Sequence, residues 1–372
     1  MLLGAFVITE GEAAAEAVFY SIACRSALVL DLPNLPGQSR LDQEIHRRVW
    51  WTLRMIDVWS SNGVRIPRAL GATIDSDVPY PMNEIIFHQL RRSDDGQHID
   101  HFSDTTPPSL SQEKRSSLLT QMVKLNAILV DISSVNQAAA AASHGHSPDY
   151  DDIDHQATVD RLAQDLEGWA DSLPPDLRDT QANLSHYAAL GLGSMFVAVH
   201  LGYYHYGVLL YYQYLHRDSF DEHGPTYSYA DMCKTHSVGL CEILYRAFST
   251  PGCEVYYTMV GHVLTIASTV QLHILLFSSD EEQTQAARGR LEKNFKLLTC
   301  LQRLWPALDI SFARFREFHR ACQNYKETSF RMDKWLLRFL FEFAKPVGEK
   351  DPNESLTEIG PWSLQELDFT SF

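Results

Sequence analysis

Apolar residues recur along this chain at the three- and four-residue steps of helices, and no stretch alternates at period two for long enough to suggest a strand. Glu12 to Leu30 reads as a helix with Val18, Ile22 and Leu28 apolar and alanines between them. A polar loop follows, and Asp42 is placed to cap a second helix in which Ile45, Val49, Leu53 and Ile56 form a stripe. A short helix is predicted from Pro81 to Leu90. Ser109 and Gln112 have the spacing of a capping box, opening a helix that reaches the alanine run near Ala142. Val159, Leu162, Leu166, Trp169 and Leu173 mark another helix, stopped by Pro174 and Pro175. Thr180–His216 and Val255–Ser279 contain no charged side chain and supply the central helices. The segments LQRLWPALDISFARF and MDKWLLRFLFEF complete the bundle. The expected fold is all-α, a multi-helix bundle with buried central helices over residues 1–347 and a flexible acidic-hydrophobic tail over 348–372.

The second helix is the centre of the pattern. Trp50, Trp51 and Met55 fall off its aliphatic stripe, so more than one face is apolar and the helix is expected to be buried. Its charges must then find partners, because an unpaired buried charge is costly. Glu44 lies four residues before Arg48, and Arg54 three before Asp57, within reach of local pairing. Gly63 is expected to end the helix, and Pro67 to keep the chain extended into the acidic loop TIDSDVPYP.

With 372 residues and a normal apolar fraction, the chain can bury a large core. Its formal net charge of −16 excludes a broad, non-specific grip on a phosphate backbone. The six cysteines are far apart, none as C-x-x-C, and read as buried free thiols in a reducing compartment. The N-terminal stretch is apolar for only eight residues, lacks a positive leader and runs into Glu10 and Glu12, unlike a signal peptide. Seven tyrosines between Tyr187 and Tyr214, with His200 and His205, make the first uncharged run too polar for hydrocarbon, so no membrane partner is expected.

The search for chemistry finds no catalytic set. His98, His101 and Asp104 have ligand spacing but lie in a loop without scaffold, and Asp75 and Asp77 suit loop hydrogen bonding better than a cation. Asp151-Asp152-Ile153-Asp154 is similar to the aspartate-rich magnesium site of helical terpene synthases. Those aspartates normally end a long apolar helix, whereas these follow His144-Gly145-His146-Ser147-Pro148. No metal or other cofactor is expected in this chain, and the reading is of a non-enzyme.

Arg47-Arg48-Val49-Trp50-Trp51, then Asp57, Gly63, Arg65 and Pro67, then Asp75, Asp77 and Pro79, resembles the signature of the fungal-specific transcription factor domain. The family's compact G-R-P is loosened here to Gly63-Val64-Arg65-Ile66-Pro67. The phrase LEGWADSLPP, where a helix with a tryptophan runs into leucine and proline, also resembles that family. The resemblance covers most of residues 1–345, with the chain starting inside the domain. It implies a nuclear, all-helical regulatory region of a zinc-cluster regulator of RNA polymerase II transcription. It further implies a small-molecule effector, homo- or heterodimeric assembly, and target genes in nutrient, drug-response or secondary metabolism. A zinc-cluster reader needs six cysteines in a short basic segment. None is present, so this chain alone is expected to bind no specific DNA, and zinc would enter only through a cluster outside it.

Residues 348–372 hold six acids against the single Lys350, with Trp362, Leu364, Leu367 and Phe369 set among them. Acidic-hydrophobic alternation of this kind suits an activation segment offered to coactivators or the transcription machinery. Two other classes stay open at this stage. One is an interaction protein without DNA binding that pairs with a full-length regulator; the other is a helical enzyme using Asp151 and Asp152.

Overall fold

The computed structural model describes residues 13–350 apart from 38, 72–77, 91–115, 143–151, 219–228, 258, 327 and 344. Among the described residues there are thirteen α-helices, two short 3-10 turns and no strand, as the periodicity predicts.

The first helix, α1 (Ala13–Val29), presents the opposite face from the one expected. Ala17, Tyr20, Cys24 and Ala27 are buried, while Val18 and Ile22 are each 57% exposed. Small side chains let α1 pack closely on the second helix, α2 (Arg40–Val64), and that contact fixes its rotation.

Helix α2 is capped by Ser39 rather than Asp42. The Ser39 Oγ accepts the Asp42 N–H at 3.0 Å, and Asp42 sits in the first turn, where its charge still suits the helix N-terminus. Of the expected aliphatic stripe only Leu53 is buried; Ile45 is exposed, and Val49 and Ile56 are half-buried. The buried face carries Trp50 and Trp51, whose rings bury more apolar area than the aliphatic stripe, together with Glu44 and Asp57. Gly63 does not end the helix. A Cβ there would lie 2.5 Å from the Phe343 Cζ, so glycine is needed to admit that ring. The turn comes at Arg65, in the left-handed region at φ 59°.

The short helix α3 (Glu84–Gln89) forms as expected. Helix α4 (Leu118–Ala142) begins after Ser117, whose Oγ accepts the Thr120 N–H at 3.2 Å; the capping-box pair Ser109 and Gln112 lies outside the described residues. Helix α5 (Asp152–Asp171) buries all four of its expected apolar positions, as well as Leu173 just beyond its end.

The first uncharged run folds as α6 (Gln181–Ala189) and α7 (Gly193–Tyr211), and its end enters the one-turn α8 (Tyr214–Asp218). Helix α9 (Tyr229–Phe248) and α10 (Met259–Phe277) follow. The chain closes with α11 (Glu281–Gln302), α12 (Asp309–Asn324) and α13 (Lys334–Phe341), a 3-10 turn at Pro306–Leu308 separating α11 from α12.

Helix α7 is the hub, packed against α4, α5, α6, α9 and α10. Its contact with α9 is close because Gly207 has no side chain: a Cβ there would run into the His236 imidazole. Helices α4 and α10 are long and apolar enough to cross a membrane, yet α10 is buried along nearly its whole length inside the bundle. Trp50, Trp51, Cys24, Leu70 and Val123 make a smaller core where α1 and α2 meet α4.

Candidate functional site

Arg47 and Arg48 of α2 close into a largely buried network around Glu44. Glu44 is fully buried, and its Oε2 lies 2.6 Å from Arg47 Nη1 while its Oε1 accepts Arg48 Nε at 3.0 Å. The same Oε1 accepts the backbone N–H of Met82 at 2.9 Å, and Arg48 Nη2 donates to the Met82 carbonyl at 2.6 Å. The Arg48 guanidinium also lies 4.1 Å from the centre of the Phe87 ring and 3.7 Å from Glu84 Oε1. Every buried charge here has both an opposite charge and a hydrogen bond, the condition under which burial is tolerated.

Glu84 extends this network to α4. Its Oε2 accepts Leu118 N–H at 2.8 Å, and its Oε1 accepts Leu119 N–H at 3.1 Å and the Ser117 hydroxyl at 2.6 Å. A carboxylate thereby satisfies the open N–H groups at the start of a long helix and sits at its positive end.

Trp51 and Asp57 hold the loop on the other side. Trp51 Nε1 donates to the Pro79 carbonyl at 3.0 Å, and its ring stacks on Tyr80 at 5.3 Å. The two Asp57 oxygens accept the N–H groups of Ala69 and Leu70, each at 2.9 Å, and Arg54 donates to the Gly71 carbonyl at 2.9 Å. The expected Glu44–Arg48 pair is present; Asp57 serves as an acceptor for the loop backbone. Arg65 reaches Glu342 at 3.5 Å, and Pro67 is exposed. Asp75 and Asp77 lie outside the described residues, as do His98, His101, Asp104, Asp151 and the tail residues Trp362, Leu364, Leu367 and Phe369. Asp152 opens helix α5 rather than ending a long apolar one, so its placement lacks the context of an aspartate-rich magnesium site.

A second polar set lies in the main core. His200, His262 and His273 each place Nε2 within 2.9–3.0 Å of a carbonyl, those of Leu177, Leu340 and Leu215 respectively. That contact requires a proton on Nε2 and fixes the neutral tautomer. Burial pushes His205 down to about 3 and His236 to about 4, and it lowers His200 and His262 as well. His262 is held down further by the nearby Arg314 and His205. Arg314 is almost wholly buried and donates to the carbonyls of Arg338, Phe339, Glu342 and Lys345, closing the C-terminal end of α13. Burial pulls its guanidinium down to about 9. Sequence reading missed Glu84 and Arg314. Asn83 followed by Glu84 behind a proline carried a weak helix-start signal; Arg314, within ISFARF, carried none.

Among the described residues no three or more His, Cys, Asp or Glu side chains converge as metal ligands. Five of the six free cysteines are buried as expected, and Cys300 is exposed. What the α2 network does is mechanical: it locks loop, α3 and α4 into one body.

No family model matches the chain, and no solved structure matches it. Among curated proteins, an uncharacterized transcriptional regulatory protein of Schizosaccharomyces pombe is 24% identical over 324 residues, covering 78% of this chain. The match spans 38% of that relative's own length.

Proposed function

We propose that this chain is the helical regulatory body of a nuclear regulator of RNA polymerase II transcription, built on the fungal-specific transcription factor domain. The observation that carries the reading is the likeness to the transcriptional regulatory protein, sustained over 324 residues. The signature residues of α2 add to it. Arg47, Arg48, Trp50, Trp51 and Asp57 are spent on bonds and packing that position the loop and α4, a use that fits a scaffold better than a catalyst.

In this reading the body carries no chemistry of its own. Sequence-specific DNA contact comes from residues outside this chain or from a partner regulator. The tail, through Trp362, Leu364, Leu367 and Phe369, meets coactivators or the transcription machinery. The acids among them suit a partner surface that is both basic and apolar.

Disrupting the gene and profiling RNA tests the reading. A discrete set of transcripts should rise or fall, and a tagged copy should accumulate in the nucleus. A cytoplasmic protein whose loss leaves transcript levels unchanged would overturn it.

A further inference from the structure

The charge of this chain is unevenly placed. Residues 281–345 hold thirteen Lys and Arg against eight Asp and Glu, in a protein of net charge −16. Residues 351–372 hold five acids and no base. The α11–α12 hairpin, residues 281–324, holds eight of these bases against five acids, and its helices meet through Phe295 against Phe312 and Phe315. Arg288 and Lys296 on α11, Arg303 at the C-cap of α11 and Arg316 on α12 are all exposed. None of these four side chains has an ion pair or hydrogen bond among the described residues.

An apolar edge adjoins this basic face. Leu304, next to Arg303, is 50% exposed, and Tyr256 is 46% exposed. The two are linked through Trp305, whose Nε1 donates to the Tyr256 carbonyl. Large apolar side chains left open beside unpaired cations suit a ligand that is both acidic and apolar.

We propose that the exposed basic face of the α11–α12 hairpin, with its apolar edge at Leu304 and Tyr256, is the docking surface for the chain's own acidic C-terminal segment, residues 351–372. The segment's root is fixed close by. Lys350 is buried, with Nζ 2.7 Å from Asp333 Oδ2 and 3.0 Å from the Thr328 carbonyl, and Trp335 Nε1 holds the Gly348 carbonyl at 2.7 Å. Thr328 lies just beyond the end of α12, so the segment departs from the hairpin's end opposite Leu304. The length of α12 is about 24 Å at 1.5 Å per residue. The twelve residues from Lys350 to Trp362 reach about 40 Å when extended. Asp351, Glu354 and Glu358 can therefore pass over the hairpin cations while Trp362, Leu364, Leu367 and Phe369 reach the apolar edge.

A nucleic acid fits this surface less well. A phosphate backbone carries far more charge than the five acids of the tail, so the interspersed Glu281, Glu282, Glu292 and Glu317 and the net −16 of residues 1–280 repel it more strongly. A phosphate backbone also has no use for Leu304. Tethering places the tail at an effective concentration on the order of millimolar, so a contact with a Kd of about 0.1 mM stays closed about nine-tenths of the time. This docking does not depend on the tail's being an activation segment, and the two are read by different measurements.

Hydrogen–deuterium exchange on the full chain tests the proposal. At low salt, amides within 351–372 should exchange about tenfold more slowly than in an unstructured peptide, and high salt should release most of that protection. The triple variant K296E/R303E/R316E and, separately, Leu304→Asp should remove it, with circular dichroism confirming that each variant is helical. E354Q/E358Q/E366Q, altered only in the tail, should weaken protection without touching the body. A tail exchanging at the unstructured rate in the unaltered chain would overturn the proposal, as would protection that survives the triple reversal. Protection that appears only as protein concentration rises would assign the surface to a second copy. A mixed-sequence DNA duplex that binds the unaltered chain but not the triple variant, with the tail unprotected in both, would assign it to nucleic acid.

Discussion

Glu84 and Leu118 stand 34 residues apart in sequence, and the carboxylate of the first accepts the opening N–H of the second's helix at 2.8 Å. One short helix thus closes the start of a helix of 25 residues, and through Arg48 the same carboxylate is tied to α2.

Replacing Glu84 with glutamine tests this closure. The amide keeps one acceptor but loses the charge, leaving N–H groups of Leu118, Leu119 or the Ser117 hydroxyl without a partner. The expected loss is about 1–3 kcal/mol of folding stability, measured as a lower urea midpoint with an unchanged slope. A midpoint within error of the parent would show that the carboxylate contributes nothing there.

Trp50 and Trp51 are adjacent, and the structure separates them. Both are core residues, at 0% and 5% exposure, but Trp50 Nε1 is buried with no partner among the described residues while Trp51 Nε1 is bonded to Pro79. Either alanine variant should lose about 3–5 kcal/mol. Phenylalanine should discriminate: at position 50 it removes a buried donor that has no acceptor, whereas at 51 it leaves the Pro79 carbonyl unpaired. Trp51→Phe should therefore cost more than Trp50→Phe in thermal or urea denaturation, and the reverse order would contradict the assignment.

Acid should loosen the bundle through its histidines. His205 and His236 titrate near 3 and 4 when folded, below the usual 6.5, so the unfolded chain binds more protons than the native one in between. Their stabilising contribution is complete above about pH 6.5 and is lost as pH falls toward 4, at about 1.4 kcal/mol per pH unit for each histidine. Glu16 works the other way. Burial raises its carboxyl to about 7, so its contribution is complete below the ordinary carboxylate range and is lost as pH rises through 7. With His200 and His262 also lowered, the histidines outnumber it and acidification should destabilise. His205→Phe should flatten the dependence between pH 6.5 and 4; an unchanged slope would exclude that residue as a source.

The sequence revealed elements better than it revealed faces. The helices from α2 to α5 were visible because apolar spacing and proline stops are local signals, and the burial of Trp50 and Trp51 followed from apolar residues on more than one side of α2. The rotation of α1 was not visible. Its exposed Val18 and Ile22 are more apolar than the alanines that pack inward, and only the shape of α2 explains that choice. Gly63 misled for a similar reason: its role is set by Phe343, 280 residues away in the chain. Of the candidate site, the Glu44–Arg48 pair was readable from its spacing, while Asp57, Glu84 and Arg314 bond backbone groups brought in by tertiary contact, joined at Glu84 by Ser117 and Arg48.

Fusing residues 1–372 to an unrelated DNA-binding module and measuring a reporter driven by that module's site tests the central claim most directly. Transcription should change relative to the module alone. Changing Trp362, Leu367 and Phe369 together to alanine should abolish any activation, and changing only the neighbouring acids should weaken it. A folded, nuclear fusion that occupies the site and leaves the reporter at the level of the module alone would contradict the assignment of this body to transcription control.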